Sequence, residues 1–350
     1  MTPRTRRPVV FAVAALVLSF VLCLAGVLAL DLYLHRRYEA LAALNIRGYR
    51  GALVKRKQPQ EYRVAVLGGS TVFGYGVHTQ EAFPAYLEGD LNARGLPPPL
   101  TRATVLNLGG NSEGAYAFLP NLEDFASLDY DGAIFYEGYN DVTNADTPNR
   151  FLGRRGSPAF RLFGYMPVFP LILREKAMTL RYGGDLESAY WGRKTVFRPT
   201  LAERASASAL ETAVAISQSL ETQVGQLTYR PERLEPLDPG LGEGARWAYY
   251  CQFVDRAIRY LLDHGKWVIV VTQPYNSDLH VDQQRHLLGM LQRQYQDNPR
   301  VRYVNLGNAI DLHDHTIAYD GKHLTAAGNR FIAQQLVDPV LQMTAQDGPS

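Results

Sequence analysis

Five short runs of β-branched and apolar residues, separated by longer helical patterns, set the fold class of this chain. They are Arg63-Val-Ala-Val-Leu67, Ala103-Thr-Val-Leu-Asn-Leu108, Gly132-Ala-Ile-Phe-Tyr136, Trp267-Val-Ile-Val-Val-Thr272 and Val301-Arg-Tyr-Val-Asn305. A strand wetted on one face alternates apolar and polar residues. Near-continuous apolar runs instead indicate a parallel sheet covered on both faces. Helical patterns occupy Glu81 to Arg94, Gly114 to Ser127, Arg246 to His264, Asp282 to Gln296 and Ala326 to Met343. Parallel neighbours need crossovers, and these helices supply them. The expectation is an α/β fold: a three-layer α/β/α sandwich on a five-stranded parallel sheet.

The third and fourth runs lie about 130 residues apart, far more than a crossover needs. An insertion is therefore expected at about 142–244. Its first part, Phe151 to Met178, is apolar and basic; its second, Leu201 to Leu227, reads as a long helix rich in Ala, Ser, Glu and Gln. Insertions after a strand's carboxyl end form lids or binding walls. Packing of its apolar residues onto the sandwich is the plainer reading.

Val9 to Leu30 contains no charged residue. At 1.5 Å per residue it spans a ~30 Å hydrocarbon core. A cleaved signal peptide is the rival, with Arg4, Arg6 and Arg7 as its basic start and Val27-Leu-Ala29 as a cleavage site. The run exceeds a usual signal core, so an uncleaved anchor over 9–30 is expected, with 1–30 as cytoplasmic tip and anchor. Cys23 is not a lipoprotein cysteine, since the small residues Ala25 and Gly26 follow it. Lys and Arg counts favour a cytoplasmic domain, but Asp31 and Glu39 flank the run and long domains translocate largely regardless of charge. We read the N-terminus as inside and the domain as extracytoplasmic. Residues 31–60 read as a basic linker whose Arg47–Lys57 stretch is either solvated or laid on anionic head groups. The main domain is expected over 61–345.

Composition excludes other classes. Hydrophobic residues at 46% and charged residues at 20% rule out disorder. A net charge of +2 leaves no nucleic-acid footprint, so no nucleic-acid partner is expected. Two cysteines cannot make a disulfide scaffold.

Ligands of parallel sheets bind at the strands' carboxyl ends. The first strand ends in Gly68-Gly69-Ser70-Thr71, a turn able to present a serine hydroxyl and its N–H. A phosphate loop would need Gly-Lys-Ser/Thr, but Tyr75 follows Gly74. The second ends in Asn107-Leu-Gly109-Gly110-Asn111-Ser112, whose N–H groups suit an oxyanion or merely a glycine turn. The third ends in Tyr136-Glu-Gly138-Tyr-Asn140-Asp141, where the Asn140 carboxamide suits an oxyanion donor or an Asx turn. Asp320-Gly-Lys-His323 precedes the last helix. An Asp three residues before a His can fix its tautomer and free the far nitrogen to take a serine proton. His313-Asp-His315 raises a metal reading, but lacks Cys or Glu at helical spacing. Neither metal nor cofactor is expected.

Taken in order, these four blocks resemble the SGNH (GDSL-type) serine hydrolase superfamily over about Tyr62 to Gln342, outside the insertion. The resemblance implies a flavodoxin-like sandwich with strand order 2-1-3-4-5. It implies Ser70 as nucleophile, His323 as base and Asp320 as its orienter. The implied oxyanion hole is the Ser70 N–H, a block-two N–H from Gly109 or Gly110, and the Asn140 side chain. Gly69 departs from the family, replacing the aspartate before the serine. Many members place the oxyanion glycine five residues after the block-two asparagine, where this chain has Ser112. Gly109, Gly110, Gly114 and the Ser112 N–H therefore compete.

The expected activity is that of a membrane-anchored serine esterase or deacylase, acting on an acyl ester of an envelope glycan or lipid. An O-acyltransferase of envelope polysaccharide would use the same residues. A non-catalytic glycan-binding scaffold has no need of all four. A metallohydrolase using His313, His315 and His323 is the remaining alternative. The sequence leaves open the acyl chain and the oligomeric state.

Overall fold

The computed structural model describes residues 3–39, 44–143, 149–170 and 246–346, with positions 147, 172–173, 180, 208 and 212. The Leu201–Leu227 pattern and most of the 142–244 insertion lie outside the described residues. In chain order the elements are α1 (Pro3–Tyr38), β1 (Glu61–Gly68), α2 (Ser70–Phe73), α3 (Phe83–Arg94), β2 (Arg102–Asn107), α4 (Phe118–Asp124), β3 (Gly132–Tyr136), α5 (Tyr139–Val142), α6 (Pro158–Phe163), α7 (Ala248–Asp263), β4 (Trp267–Thr272), α8 (Asp278–Tyr295), β5 (Val301–Asn305) and α9 (Ala326–Gln346).

The strands form a five-stranded sheet of order β2-β1-β3-β4-β5, parallel at every pairing. This is the expected architecture and order. Successive side chains leave a strand on opposite faces, so each apolar run feeds two cores. Ala65, Leu67, Ala133, Phe135, Val268 and Val270 pack beneath α4, α7 and α8. Val64, Val66, Ile134, Tyr136, Ile269 and Val271 pack beneath α3 and α9. The chain leaves β1 for β2 on one side and β3 on the other. That reversal opens a crevice at the carboxyl ends of these strands.

The stretch from 44 to 60 is not a free linker. Tyr49 is 1% and Arg50 2% exposed. Arg50 pairs with Asn107 at the end of β2 in an antiparallel bridge. Lys57 pairs with Asp131, whereas Arg47, Lys55 and Arg56 remain exposed. Arg50, one of the charges that suggested a linker, is drawn inside by backbone acceptors.

One helix among the described residues is long and apolar enough to cross a membrane, Val10–Tyr38. Its residues 10–30 are exposed. The next two turns are clamped to the domain. Asp31 and His35 are each 2% exposed. Asp31 accepts from the Val168 N–H at 3.0 Å, the Phe169 N–H at 2.6 Å and the Tyr165 hydroxyl. The His35 ring nitrogens face Leu44 O at 3.0 Å and Met166 O at 2.9 Å.

Candidate active site

Ser70 is the first residue of α2, directly after the β1 turn. Gly69 serves there because no other side chain fits. A Cβ at this position would land on Asn140 Nδ2 and Glu137 Oε2. The short helix ends at Gly74, whose φ of 79° is the left-handed conformation that favours glycine. Arg50 then binds carbonyls at the end of α2 and in the turn after it. It donates to Phe73 O, to Gly74 O at 2.6 Å and to Val77 O at 2.6 Å. Its guanidinium lies 4.5 Å from the centre of the Phe73 ring.

His323 comes from the loop before α9. Its Nε2 lies 2.8 Å from Ser70 Oγ, and its Nδ1 lies 2.6 Å from Asp320 Oδ2. The other carboxylate oxygen of Asp320 accepts from the His323 N–H at 2.7 Å and the Lys322 N–H at 3.0 Å. Burial raises the Asp320 carboxyl, but these bonds from His323 and Lys322 outweigh it and hold it below its ordinary range. An ionised Asp320 keeps the imidazole proton on Nδ1, which leaves Nε2 as acceptor for the serine hydroxyl. Tyr75 and Tyr319 wall the imidazole, with ring centroids 5.0 and 5.8 Å away.

Asn140, at the start of α5, lies over Gly69 and donates through Nδ2 to Glu113 O at 2.8 Å. The N–H groups of the block-two glycines are engaged within the fold. The Gly109 N–H donates to Asn107 Oδ1 at 3.1 Å, and the Gly110 N–H donates to Gly68 O at 3.0 Å. Both donors thus bind acceptors of the fold itself. Among the described residues of these two turns, the N–H groups of Ser70, Asn111, Ser112 and Gly114 have no acceptor within the chain. Ser112 has φ +63°, rare for a residue with a Cβ. Asn149 ties it to Asn140 by donating to Ser112 O at 3.2 Å and Asn140 O at 3.4 Å.

Four further residues hold these loops together. Glu137, 3% exposed, accepts from the N–H groups of Gly69, Gly138 and Asn140. It thereby ties the serine turn to the asparagine turn. Gln273, after β4, donates to Thr71 Oγ1 at 2.8 Å and accepts from the Tyr139 N–H at 3.2 Å. Glu113 meets Arg154 at 3.1 Å, a pair buried on both sides. Arg154 also donates to Leu108 O at 2.9 Å and Gly109 O at 2.6 Å, fixing block two. A charged residue closing an apolar strand was a readable signal for Glu137. Arg154 carried no such signal, because it reaches the site from the insertion.

The histidines do not converge. His313 and His315 are exposed, and both nitrogens of His323 are engaged. No group of three or more His, Cys, Asp or Glu among the described residues is arranged to hold a metal ion.

No family model and no curated protein matches the chain. Solved structures of similar shape include a member of the lipolytic protein G-D-S-L family from Veillonella parvula DSM 2008. It is 10% identical, with a TM-score of 0.41 over 79% of this chain and 97% of that one. A catalytic mutant of an acetylxylan esterase from Geobacillus stearothermophilus is 13% identical, with a TM-score of 0.40 over 79% and 93%. A carbohydrate esterase family 3 protein from Talaromyces cellulolyticus is 13% identical, with a TM-score of 0.35 over 81% and 99%. At these identities and scores the likenesses carry no chemistry, which rests on the site itself.

Buried carboxyls make stability depend on pH. Burial pushes Glu137 up to about 7, with the neighbouring Glu113 charge adding to it and the three N–H donors opposing it. Burial and the Glu137 charge push Asp141 up to about 8, against one bond from the Ala115 N–H. Both values exceed the ordinary carboxyl range, so the folded state holds more protons than the unfolded chain between that range and pH 8. Their contribution is fully present below the ordinary range and is lost as pH rises through 7 to 8. Tm is expected to fall by several degrees between pH 5 and pH 9. Glu137→Gln should reduce that fall, and an equal fall in the variant would refute the assignment.

Proposed function

We propose that the chain is an SGNH-type serine ester hydrolase, held at a membrane by α1. The observation that carries the reading is the single imidazole bonded on one side to Asp320 and on the other to Ser70 Oγ. Ser70 Oγ attacks the ester carbonyl while His323 Nε2 takes its proton. The carbonyl oxygen becomes an oxyanion, stabilised by the Ser70 N–H, the Asn140 carboxamide and the Ser112 N–H. His323 returns the proton to the leaving alkoxide, and an acyl-Ser70 remains. Water, deprotonated by the same nitrogen, then releases the acid. Asp320 stabilises the imidazolium in each half.

The reading of α1 as an uncleaved anchor rests on its uncharged span and on its continuity into the buried Asp31–His35 clamp. The domain over 61–345, with its insertion at 142–244, is the catalytic unit in this reading.

The test is hydrolysis of p-nitrophenyl esters of rising chain length by the full chain in neutral detergent, with and without a polysaccharide acceptor. Release of free acid supports the proposal, and acyl groups appearing only on the acceptor would move it to acyl transfer. In the same assay Asn140→Ala should lower kcat by roughly 10²–10³ with little change in KM, because an oxyanion donor acts in the transition state. A raised KM with a lost thermal transition would make Asn140 a structural cap.

A further inference from the structure

We propose that the tip of α6, Leu162 and Phe163, rests in the interfacial zone of the bilayer that α1 enters, as a second membrane contact beside that helix. This rests on the reading of α1 as an anchor and concerns a surface away from Ser70. The opposite side of α6 is fixed to the domain. Phe160 is 8% exposed and belongs to the core, its ring 6.0 Å from that of Phe125. Ser157 caps the first turn by accepting from the Phe160 N–H at 3.4 Å, and Gly164 ends the helix at φ 63°. A helix held at both ends and along one side cannot roll its other residues inward. Leu162 is left 58% and Phe163 81% exposed.

The clamp on α1 sets where that tip stands. The uncharged span ends at Leu30, and Asp31 is the next residue. Asp31 accepts from the Tyr165 hydroxyl and from the Val168 and Phe169 N–H groups, while His35 faces Met166 O. The 165–169 segment is therefore seated where α1 leaves the hydrocarbon. Phe163 precedes Tyr165 by two residues, at most about 7 Å of chain. The headgroup layer extends roughly 5–8 Å beyond the hydrocarbon core on each side. Tyr33, on α1 at the same exit, is 61% exposed. Aromatic and aliphatic side chains gather in this zone, between headgroups and upper acyl chains. The contact needs apolar surface and position, not charge. A soluble protein seated on the tip would have to displace the lipid around the exit of α1. Held at the helix and at α6, the domain cannot swing as if on a stalk. Glu39, just past α1, accepts from Thr79 Oγ1 at 2.9 Å, so the turn after α2 stands at a set height above the lipid.

Tryptophan fluorescence of the full chain in phosphatidylcholine vesicles tests this, with lipid brominated near the carbonyl end of its acyl chains as quencher. Tyr33→Trp reports on the anchor and Phe163→Trp on the tip. Each is read as a difference from the parent chain, which has three tryptophans of its own. Both positions are exposed, so Tm in detergent and hydrolysis of a soluble ester should match the parent. The expected result is that each added indole emits further to the blue in vesicles and loses emission to the brominated lipid, while aqueous iodide has little effect. An indole added at 163 that iodide quenches freely and brominated lipid leaves untouched overturns the proposal. Shielding from both quenchers would put a second copy of the chain on the tip and overturn the lipid contact. Tyr33→Trp separates the two readings. If it too escapes the brominated lipid, the anchor falls; if it alone is quenched, only the α6 contact falls.

Discussion

A fluorophosphonate probe is expected to modify the full chain once, at Ser70, and Ser70→Ala is expected to abolish both labelling and ester turnover. The probe's phosphorus mimics the tetrahedral intermediate, so it needs an activated hydroxyl beside an oxyanion hole. Ser70 Oγ, 2.8 Å from His323 Nε2, supplies the first requirement. Loss of a nucleophile or base in such a site costs on the order of 10⁶ in kcat. His323→Ala should therefore label very slowly while keeping its thermal transition. Asp320→Asn should cost roughly 10⁴, because an amide no longer fixes the tautomer. Ser112→Ala should still label, since only its main-chain N–H is used. Peptide mapping decides the matter: an adduct on another serine, or none on a folded and esterolytic chain, would defeat the assignment.

Replacing Glu137 should produce a large effect although the residue does not itself meet substrate. Its two carboxylate oxygens accept three main-chain N–H bonds, one from Gly69 and two at the Asn140 turn. Glu137→Leu strands all three. Each buried donor left without an acceptor costs about 1–3 kcal/mol, so the variant should lose much of its stability. Glu137→Gln is the sharper test. Its carbonyl can still serve one side, but its amide nitrogen then faces an N–H on the other. The expected result is an intermediate loss of Tm, with kcat reduced more than KM is raised. The labelling rate at Ser70 should also fall, measured well below Tm. Normal labelling kinetics in Glu137→Gln, alongside a lowered Tm, would make Glu137 a stability element alone.

Much of the fold was readable because its information is local. The runs at Gly132–Tyr136, Trp267–Thr272 and Val301–Asn305 are the observed β3, β4 and β5 without adjustment. The start of α8 was read four residues late. Ser277 caps it by accepting from the His280 N–H, a side-chain bond that hydrophobic periodicity does not register. Ser70, Asn140, Asp320 and His323 stood out because each closes a strand or precedes a helix, where a motif is contiguous. Gly109 and Gly110 looked equally suitable. Whether an N–H is already spent depends on Asn107 and Gly68 being folded beside it, which spacing cannot reveal. Arg50 and Arg154 were invisible for the same reason. Each crosses from a separate segment to neutralise carbonyls or a carboxylate at the crevice.

The position of Arg154 bears on how such a chain could be rebuilt or inherited. A surface elaboration can ordinarily be trimmed and its ends rejoined without disturbing the scaffold beneath. Here the segment between β3 and α7 lends a cation to the floor of the crevice. Excising it would abandon the Glu113 carboxylate in the interior and release the Leu108 and Gly109 carbonyls together. Losing one partner of a buried ion pair costs about 3–5 kcal/mol, a large share of a domain's margin. A minimised domain cut from this template would have to replace Glu113 in the same step. Sheet and insertion are thus transferable together, or apart only once Glu113 is replaced.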